Sequence, residues 1–344
     1  MPVTIKDVAK LAGVSPSTVS RTCTNHPSIS KQTKQKVRKA MQELGYEPNF
    51  QASNLASKNS KTIGIILPIF ESEAYESSFY LETIRGIGQF CNQKQYMNTL
   101  VTGSSEKEIL QAIKTMVKSG RVDGFIVLYS KKDDEVLEYL YNAGITYVLI
   151  GKDSLHTNQI IYIDNDNILA AKEATDYLIR LGHEKIAFLG TDNNAIFIQD
   201  RKNGYILSLA DHGIPFNPKY CLEQGYINDD HDSKLAELLT SEDAPTAMLV
   251  SDDVLAVTLE KLLIELGISI PEQLSIISFN NSLFAKLTNP PLTSVDINPY
   301  QLGLESASQI INHIENPNLL ATKIIVPHKI IERNSCRPLS PMTV

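Results

Sequence analysis

The sequence predicts an α/β protein: an all-α helix-turn-helix headpiece followed by two doubly wound lobes with parallel sheets. Three observations carry this. From Thr62 onward, short apolar runs alternate with amphipathic stretches of helical period, the pattern of parallel strands buried on both faces. Before Thr62 the chain holds two short helical segments around a glycine turn and no strand-like run. At 344 residues, with 42% hydrophobic residues, it is long enough for a small headpiece and two larger lobes with their own cores.

The first helix begins at the Thr4 cap, with Asp7 favouring its first turn and Val8, Ala9, Leu11 and Ala12 recurring at helical spacing. Gly13 and Val14 make a tight turn. Ser15 caps a second helix over about Pro16 to Cys23, and Pro16 sits at the first position, where no backbone donor is missed. A third helix runs from the Ser30 cap to about Leu44, with Val37, Met41 and Leu44 on its apolar face and Gly45 as its stop. Pro48 ends the headpiece, residues 1–48. Asn49 then caps a segment over Phe50 to Ser57, which carries Ala52, Leu55 and Ala56. Eight residues are too few for a stable isolated helix, so this segment orders only when something packs on it. Residues 49–61 are therefore a hinge helix and linker.

Beyond it the strands are read at Thr62–Leu67, Asn98–Thr102, Gly124–Leu128, Tyr147–Ile150, Gln159–Ile163, Lys185–Leu189, Ala247–Val250 and Leu274–Phe279. Helices are read at about Tyr80–Lys94, Glu106–Ser119, Asp134–Asn142, Asn167–Leu181, Arg201–His212, Asp232–Thr240, Asp253–Leu266 and Tyr300–Glu315. Open sheets of this kind bind ligands at the carboxyl ends of their strands.

Charge separates the two parts. The first 60 residues carry nine basic and three acidic residues, whereas the whole chain, with 32 basic and 39 acidic residues, has a net charge of −7. A basic module on an acidic body concentrates the attraction to phosphate at one end. Helix-turn-helix spacing with that charge points to double-stranded DNA, with the second helix in the major groove.

At these residues a family resemblance becomes visible. The string VTIKDVAKLAGVSPSTVSR, followed by SKQTKQKVRKAMQELGYEPN, resembles the headpiece of the LacI family of bacterial transcription regulators. The resemblance continues through IGIILP, GRVDGFIV, YIDNDN, LGHEKIAFLG, DRKNGY, AMLVSDD, LSIISFNN and PPLTSVDIN in the family's order. Within the family, VLIGK, the DNDN run, the Phe-x-x-x-Asp-Arg stretch and IIVPHKIIER are most similar to maltose-operon repressors of Gram-positive bacteria. The resemblance implies lobes of periplasmic-binding-protein type that exchange chain three times. One lobe would comprise 62–160 and 291–324, the other 161–290 and 325–339.

Candidate DNA contacts follow. Pro16, Ser17, Thr18, Ser20 and Arg21 lie on the second helix. Arg21 has the fork that pairs with a guanine edge, and Pro16, without a donor, is restricted to apolar contact. Ser30, Thr33 and Tyr46 suit phosphate contacts that position the helix. Asn49, Ala52 and Leu55 belong to the hinge. The resemblance makes Leu55 a minor-groove wedge that, with its copy from a second subunit, kinks the duplex. Ser53 stands where relatives often have a basic residue.

The candidate effector residues are Phe79, Tyr80, Tyr129, Lys152, Phe197, Arg201, Asp252 and Asn280. A guanidinium fork such as that of Arg201 suits vicinal sugar hydroxyls. It lacks an evident local carboxylate except Asp200. Asp252 and Asn280 follow apolar strands, and the resemblance maps the family's effector residues onto Arg201, Asp252 and Asn280. Many relatives have Asp where Asn280 stands. Lys152 follows the run YVLI, and the four aromatics are candidate platforms for sugar faces.

Enzymatic chemistry finds no motif: there is no phosphate loop of the required spacing and no nucleophile elbow. No metal site or cofactor is expected, and the run Asp229-Asp230-His231-Asp232 reads as a solvated loop. Cys23, Cys91, Cys221 and Cys336 read as buried free thiols in a cytoplasmic protein. No run of about 18 apolar residues and no apolar signal core is present, so no membrane span or secretion is expected. The sequence thus points to a homodimeric, DNA-binding repressor released by a small sugar, maltose or a maltodextrin. The alternatives are the same fold controlled by another sugar or by a phosphorylated partner protein and, more distantly, a solute-binding protein.

Overall fold

The computed structural model describes residues 3–23, 25–47, 59–68, 78–153, 156, 158–190, 195–223 and 232–339. It falls into two compact units, a helical headpiece and an α/β body that begins at Thr62. No helix among the described residues is long and apolar enough to cross a membrane.

The headpiece consists of α1 (Ile5–Ala12), α2 (Pro16–Cys23) and α3 (Lys31–Leu44). Its caps are those the sequence predicts. The Asp7 carboxylate accepts from the Thr4 backbone N–H at 2.9 Å and from the Thr4 hydroxyl at 2.6 Å. Ser15 Oγ accepts from the Thr18 N–H at 3.2 Å, and Ser30 Oγ from the Thr33 N–H at 3.1 Å. Gly13 and Gly45 close α1 and α3 in the left-handed region, which a side chain would resist. Val8, Ala9, Ala12, Val19, Val37 and Ala40 form the core. Two expectations are corrected. Leu11, at the edge of the apolar stripe, stays 46% exposed. Cys23 is exposed at the end of α2, and of the four free cysteines only Cys91 is fully buried. The hinge segment with Asn49, Ala52 and Leu55 lies outside the described residues, as do Asp229, Asp230 and His231.

The body contains two six-stranded sheets. The first has the order β11-β5-β4-β3-β1-β2, from β1 (Thr62–Ile66), β2 (Met97–Val101), β3 (Gly124–Val127), β4 (Tyr147–Ile150), β5 (Ile161–Asp164) and β11 (Lys323–Ile325). The second has the order β12-β10-β9-β8-β6-β7, from β6 (Ile186–Gly190), β7 (Cys221–Glu223), β8 (Ala247–Val250), β9 (Ser275–Phe279), β10 (Thr293–Asp296) and β12 (Lys329–Ile331). The pairings are parallel except β10 with β12. Both faces of the inner strands are covered, whereas the edge strands β2, β11 and β12 stay partly exposed. In β8, Met248 and Val250 join one apolar cluster while Ala247 and Leu249 join another, the two-residue period of a strand buried on both sides.

The helices that cover the sheets are α4 (Ser78–Gln93), α5 (Glu106–Lys118), α6 (Glu135–Asn142), α7 (Asn167–Arg180), α8 (Ile196–Asp211), α9 (Asp232–Thr240), α10 (Asp253–Leu266), α11 (Leu283–Leu287) and α12 (Pro299–Glu315). Helices α4 and α12 cross so closely that a Cβ on Gly303 would stand 2.0 Å from the Thr83 carbonyl oxygen. Only glycine permits that contact.

Strand pairing puts the exchanges between lobes a few residues later than the boundaries at 160, 290 and 324. Strand β5 is hydrogen-bonded to β4 and so belongs to the first lobe, and β10 is paired with β9 in the second. The three exchanges meet at one side chain. Asn165 Nδ2, just after β5, donates to the Ile297 carbonyl at 3.0 Å and to the Val326 carbonyl at 2.8 Å, each on another exchange. Leaving a buried acceptor unpaired costs about 1–3 kcal/mol. Asn165→Ala is therefore expected to lower the thermal midpoint of the body by several degrees, at roughly 2–4 °C per kcal/mol for domains of 150–250 residues. A calorimetric scan that finds no shift would show that the exchanges are held elsewhere.

Candidate functional site

Two surfaces carry the candidate chemistry. On the headpiece, Pro16, Ser17, Ser20 and Arg21 are exposed along one side of α2, while Val19 and Thr22 turn into the core. Thr18 is half-buried, and its hydroxyl and that of Ser17 lie 2.9 and 2.8 Å from Ser15 Oγ. The exposed side therefore presents one guanidinium, two hydroxyls and a proline ring. Ser30 and Thr33 are engaged with each other in the α3 cap, and Tyr46 packs against the headpiece core.

The second surface is the cleft where the carboxyl ends of the strands of both lobes converge. Its centre is Arg201, 3% exposed. The sequence starts this helix at Arg201, but α8 begins at Ile196, so Phe197 lies one turn before Arg201 on the same side. The guanidinium lies 5.0 Å from the Phe197 ring centre and 4.0 Å from that of Phe279. Its Nε donates to Asn167 Oδ1 at 3.0 Å and its Nη1 to the Ser251 carbonyl at 2.6 Å. Burial lowers its pKa to about 10, opposed by the carboxylates of Asp252, Asp164, Asp253 and Asp200. It stays charged at neutral pH.

Asp252 follows β8 and caps α10, accepting from the Val254 N–H at 2.7 Å. It also accepts from Asn280 Nδ2. Burial, and then the neighbouring Asp253, raise its pKa to about 6. This pairing gives a physical reason for an amide at position 280: a carboxylate there would repel Asp252, whereas the amide donates to it. Asp253 lies behind, accepting from Ser278 Oγ, Ser294 Oγ and the Ser282 N–H.

Lys152, after β4, crosses the cleft to Asp200 of α8, Nζ to Oδ2 at 2.6 Å. Asp200 thus serves Lys152, while the hydrogen bonds of Arg201 go to Asn167 and Ser251. Burial, the largest single effect, works against the Lys152 charge, but the bond to Asp200 and the charges of Asp200, Asp164 and Asp166 together outweigh it and the pKa is raised. Asp164, at the end of β5, is buried and pushed up to about 7, with Lys152 and the Asn165 N–H opposing the shift.

The aromatics divide. Phe79 packs against the cores of both lobes. Tyr80, edge-on to Phe79 at 5.2 Å, is half-buried, and desolvation followed by the charge of Asp252 raises its pKa. Tyr129 is half-buried, and burial followed by the charge of Asp134, the α6 cap, holds its hydroxyl protonated. The cleft thus brings together Phe79, Tyr80, Lys152, Phe197, Arg201, Asp252 and Asn280. It adds Asp164, Asn167 and Phe279, which sequence reasoning missed, and Asp200, which the sequence noted only as a neighbour of Arg201. The run Asp164-Asn165-Asp166-Asn167 directly after an apolar strand was a usable signal for two of them. Donors and acceptors between aromatic walls match a polyhydroxylated ligand.

Comparison with known proteins matches both parts of the chain to one class of regulator. Residues 4–49 match the model of bacterial regulatory proteins, lacI family, and residues 175–336 that of a periplasmic binding protein-like domain. The HTH-type transcriptional regulator MalR of Staphylococcus xylosus is 37% identical over 334 residues, covering 97% of this chain and 98% of MalR. The crystal structure of a probable maltose operon transcriptional repressor, malR, from Staphylococcus aureus superposes with a TM-score of 0.74 at 26% identity, over 80% of this chain and 98% of that one. A complex of the transcriptional regulator CelR with cellobiose superposes with a TM-score of 0.74 at 25% identity, over 97% of this chain and 99% of that one.

Proposed function

The chain belongs to the LacI family of bacterial regulatory proteins and is a DNA-binding transcriptional repressor of that family; on that premise we propose that it acts in the cytoplasm as a homodimer released from its operator by maltose or a maltodextrin. The observation that carries the effector reading is the group of Arg201, buried on α8, with half-buried Asp252 and Asn280 at two strand ends of the same lobe, opposite Tyr80 and Lys152 of the other. The relative named for the maltose operon and the one bound to cellobiose favour a glucose disaccharide over a monosaccharide. The arrangement serves binding, so we read the protein as a regulator and not an enzyme.

In this reading Pro16, Ser17, Thr18, Ser20 and Arg21 face the major groove, and Leu55 acts as the minor-groove wedge flanked by Asn49 and Ala52. Ser30, Thr33 and Tyr46 position the headpiece on phosphate. Sugar closes the cleft and separates the two hinges, which are too short to stay helical apart. Operator binding should fall steeply with salt, because several headpiece cations displace counterions. A titration series between low and moderate salt checks this, and a flat response would argue against phosphate-driven docking.

The functional test is operator affinity with and without each sugar of a panel. Maltose or maltotriose is expected to weaken binding. Tighter binding would make the sugar a co-repressor. An effect confined to another sugar, or one that requires a phosphorylated protein, would keep the family and overturn the effector.

A further inference from the structure

Among the described residues, two cations and five carboxylates act on one another at the cleft: Lys152 and Arg201 against Asp164, Asp166, Asp200, Asp252 and Asp253. The two cations are held differently. The Arg201 guanidinium is enclosed by the Ser251 carbonyl, Asn167 and the Phe279 ring, with carboxylates close by. The Lys152 side chain is 28% exposed and Asp200 only 15%, so the ammonium is the cation that an incoming anion would reach first. Asp200 meets it from the other lobe at 2.6 Å.

We propose that Asp200 is a specificity-determining residue: by occupying Lys152 across the cleft it makes the site select neutral sugars and reject sugar phosphates and uronates. The inference rests on the reading of the cleft as the sugar site and deepens it. An ammonium bound to a carboxylate still donates to hydroxyls, so a neutral sugar keeps its partners. A phosphate or carboxylate must instead approach a group whose charge is already balanced, beside Asp164 and Asp252. Like charges brought together at a binding site are strongly unfavourable. Removing the Asp200 charge frees Lys152 and shifts the balance by one unit towards anions.

The test is calorimetric titration of full-length parent, Asp200→Asn, Lys152→Gln and the double variant with maltose, glucose 6-phosphate and inorganic phosphate. Asp200→Asn is expected to bind glucose 6-phosphate and inorganic phosphate about tenfold or more tightly than the parent does. Adding Lys152→Gln should abolish that gain, which also corrects for phosphate held by the basic headpiece. Absence of the gain, or a gain that survives Lys152→Gln, overturns the proposal. If Asp200→Asn does not fold, the exchanged pair Lys152→Asp with Asp200→Lys carries the test. It should reject both anions as the parent does, and binding them would contradict the role of the pair. Inorganic phosphate reports the charge balance whatever sugar the cleft takes. Failure of maltose to bind the parent therefore counts against the effector reading, and failure of phosphate to discriminate counts against Asp200.

Discussion

Arg201→Ala is expected to abolish the release of operator by sugar while operator binding without sugar persists. Among the described residues the guanidinium is the only cation enclosed at the centre of the cleft, and its five donors cannot be replaced by a methyl group. The same change has a stability signature. Asp252 and Asp164 have pKa values of about 6 and about 7 with Arg201 beside them, both raised above the 3.8 of an unperturbed carboxyl. A carboxyl with a raised folded-state pKa costs stability as pH rises from the unfolded value up to the folded one, and nothing further above it. Removing Arg201 raises both folded values further, so the variant goes on losing stability where the parent has stopped. The deficit should be small near pH 5, where both groups are largely protonated in either folded protein. It should open above about pH 6 towards the roughly 3–5 kcal/mol typical of an uncompensated buried charge. Denaturant melts of both proteins at pH 5 and pH 8 measure this. A deficit that is equal at the two pH values would show that Arg201 supports the cleft by packing and not by charge.

Arg21→Ala is expected to weaken binding to the operator by about 1–3 kcal/mol, roughly 5- to 150-fold, and binding to unrelated DNA much less. Arg21 lies with Pro16, Ser17 and Ser20 on the exposed side of α2, the side left when Val19 and Thr22 are buried. Its loss should relax discrimination at one base pair of each half-site. Anisotropy titrations with operator, single-substituted operators and scrambled duplex separate the outcomes. An equal, few-fold loss on every duplex would make Arg21 a phosphate contact only.

What the sequence made legible follows from the range of the interactions. Local signals were sufficient for the headpiece: Thr4 with Asp7, Ser15 with Thr18 and Ser30 with Thr33 are all three residues apart, and the caps stand where those residues occur. Long apolar strands such as Ala247–Val250 were equally plain. Strand β10 was not, because Thr293-Ser294-Val295-Asp296 lacks a continuous apolar run. It is held in the sheet by side chains far along the chain, Ser335 to the Thr293 N–H and Ser294 to Asp253. The start of α8 was missed because Ala195–Ile198 reads as an apolar run without a polar cap, and indeed Ala195 makes no capping side-chain bond. In the cleft, strand ends were enough to mark Asp252 and Asn280, which do meet. The Lys152–Asp200 pair spans 48 residues, and the Asn165 bonds span 132 and 161. No local pattern encodes such partners, so the charge balance of the cleft and the junction of the three exchanges emerged only in the fold.

In the proposed function, one small sugar and the operator compete through a single conformational equilibrium. Linkage then requires the two effects to be equal in size. The direct measurement is the maltose dissociation constant of the full-length protein, by calorimetry, with and without saturating operator duplex, set beside the operator dissociation constant with and without saturating maltose. The account predicts that operator weakens maltose binding by the same factor by which maltose weakens operator binding. Maltose affinity that is unchanged by operator, or increased by it, would contradict the account.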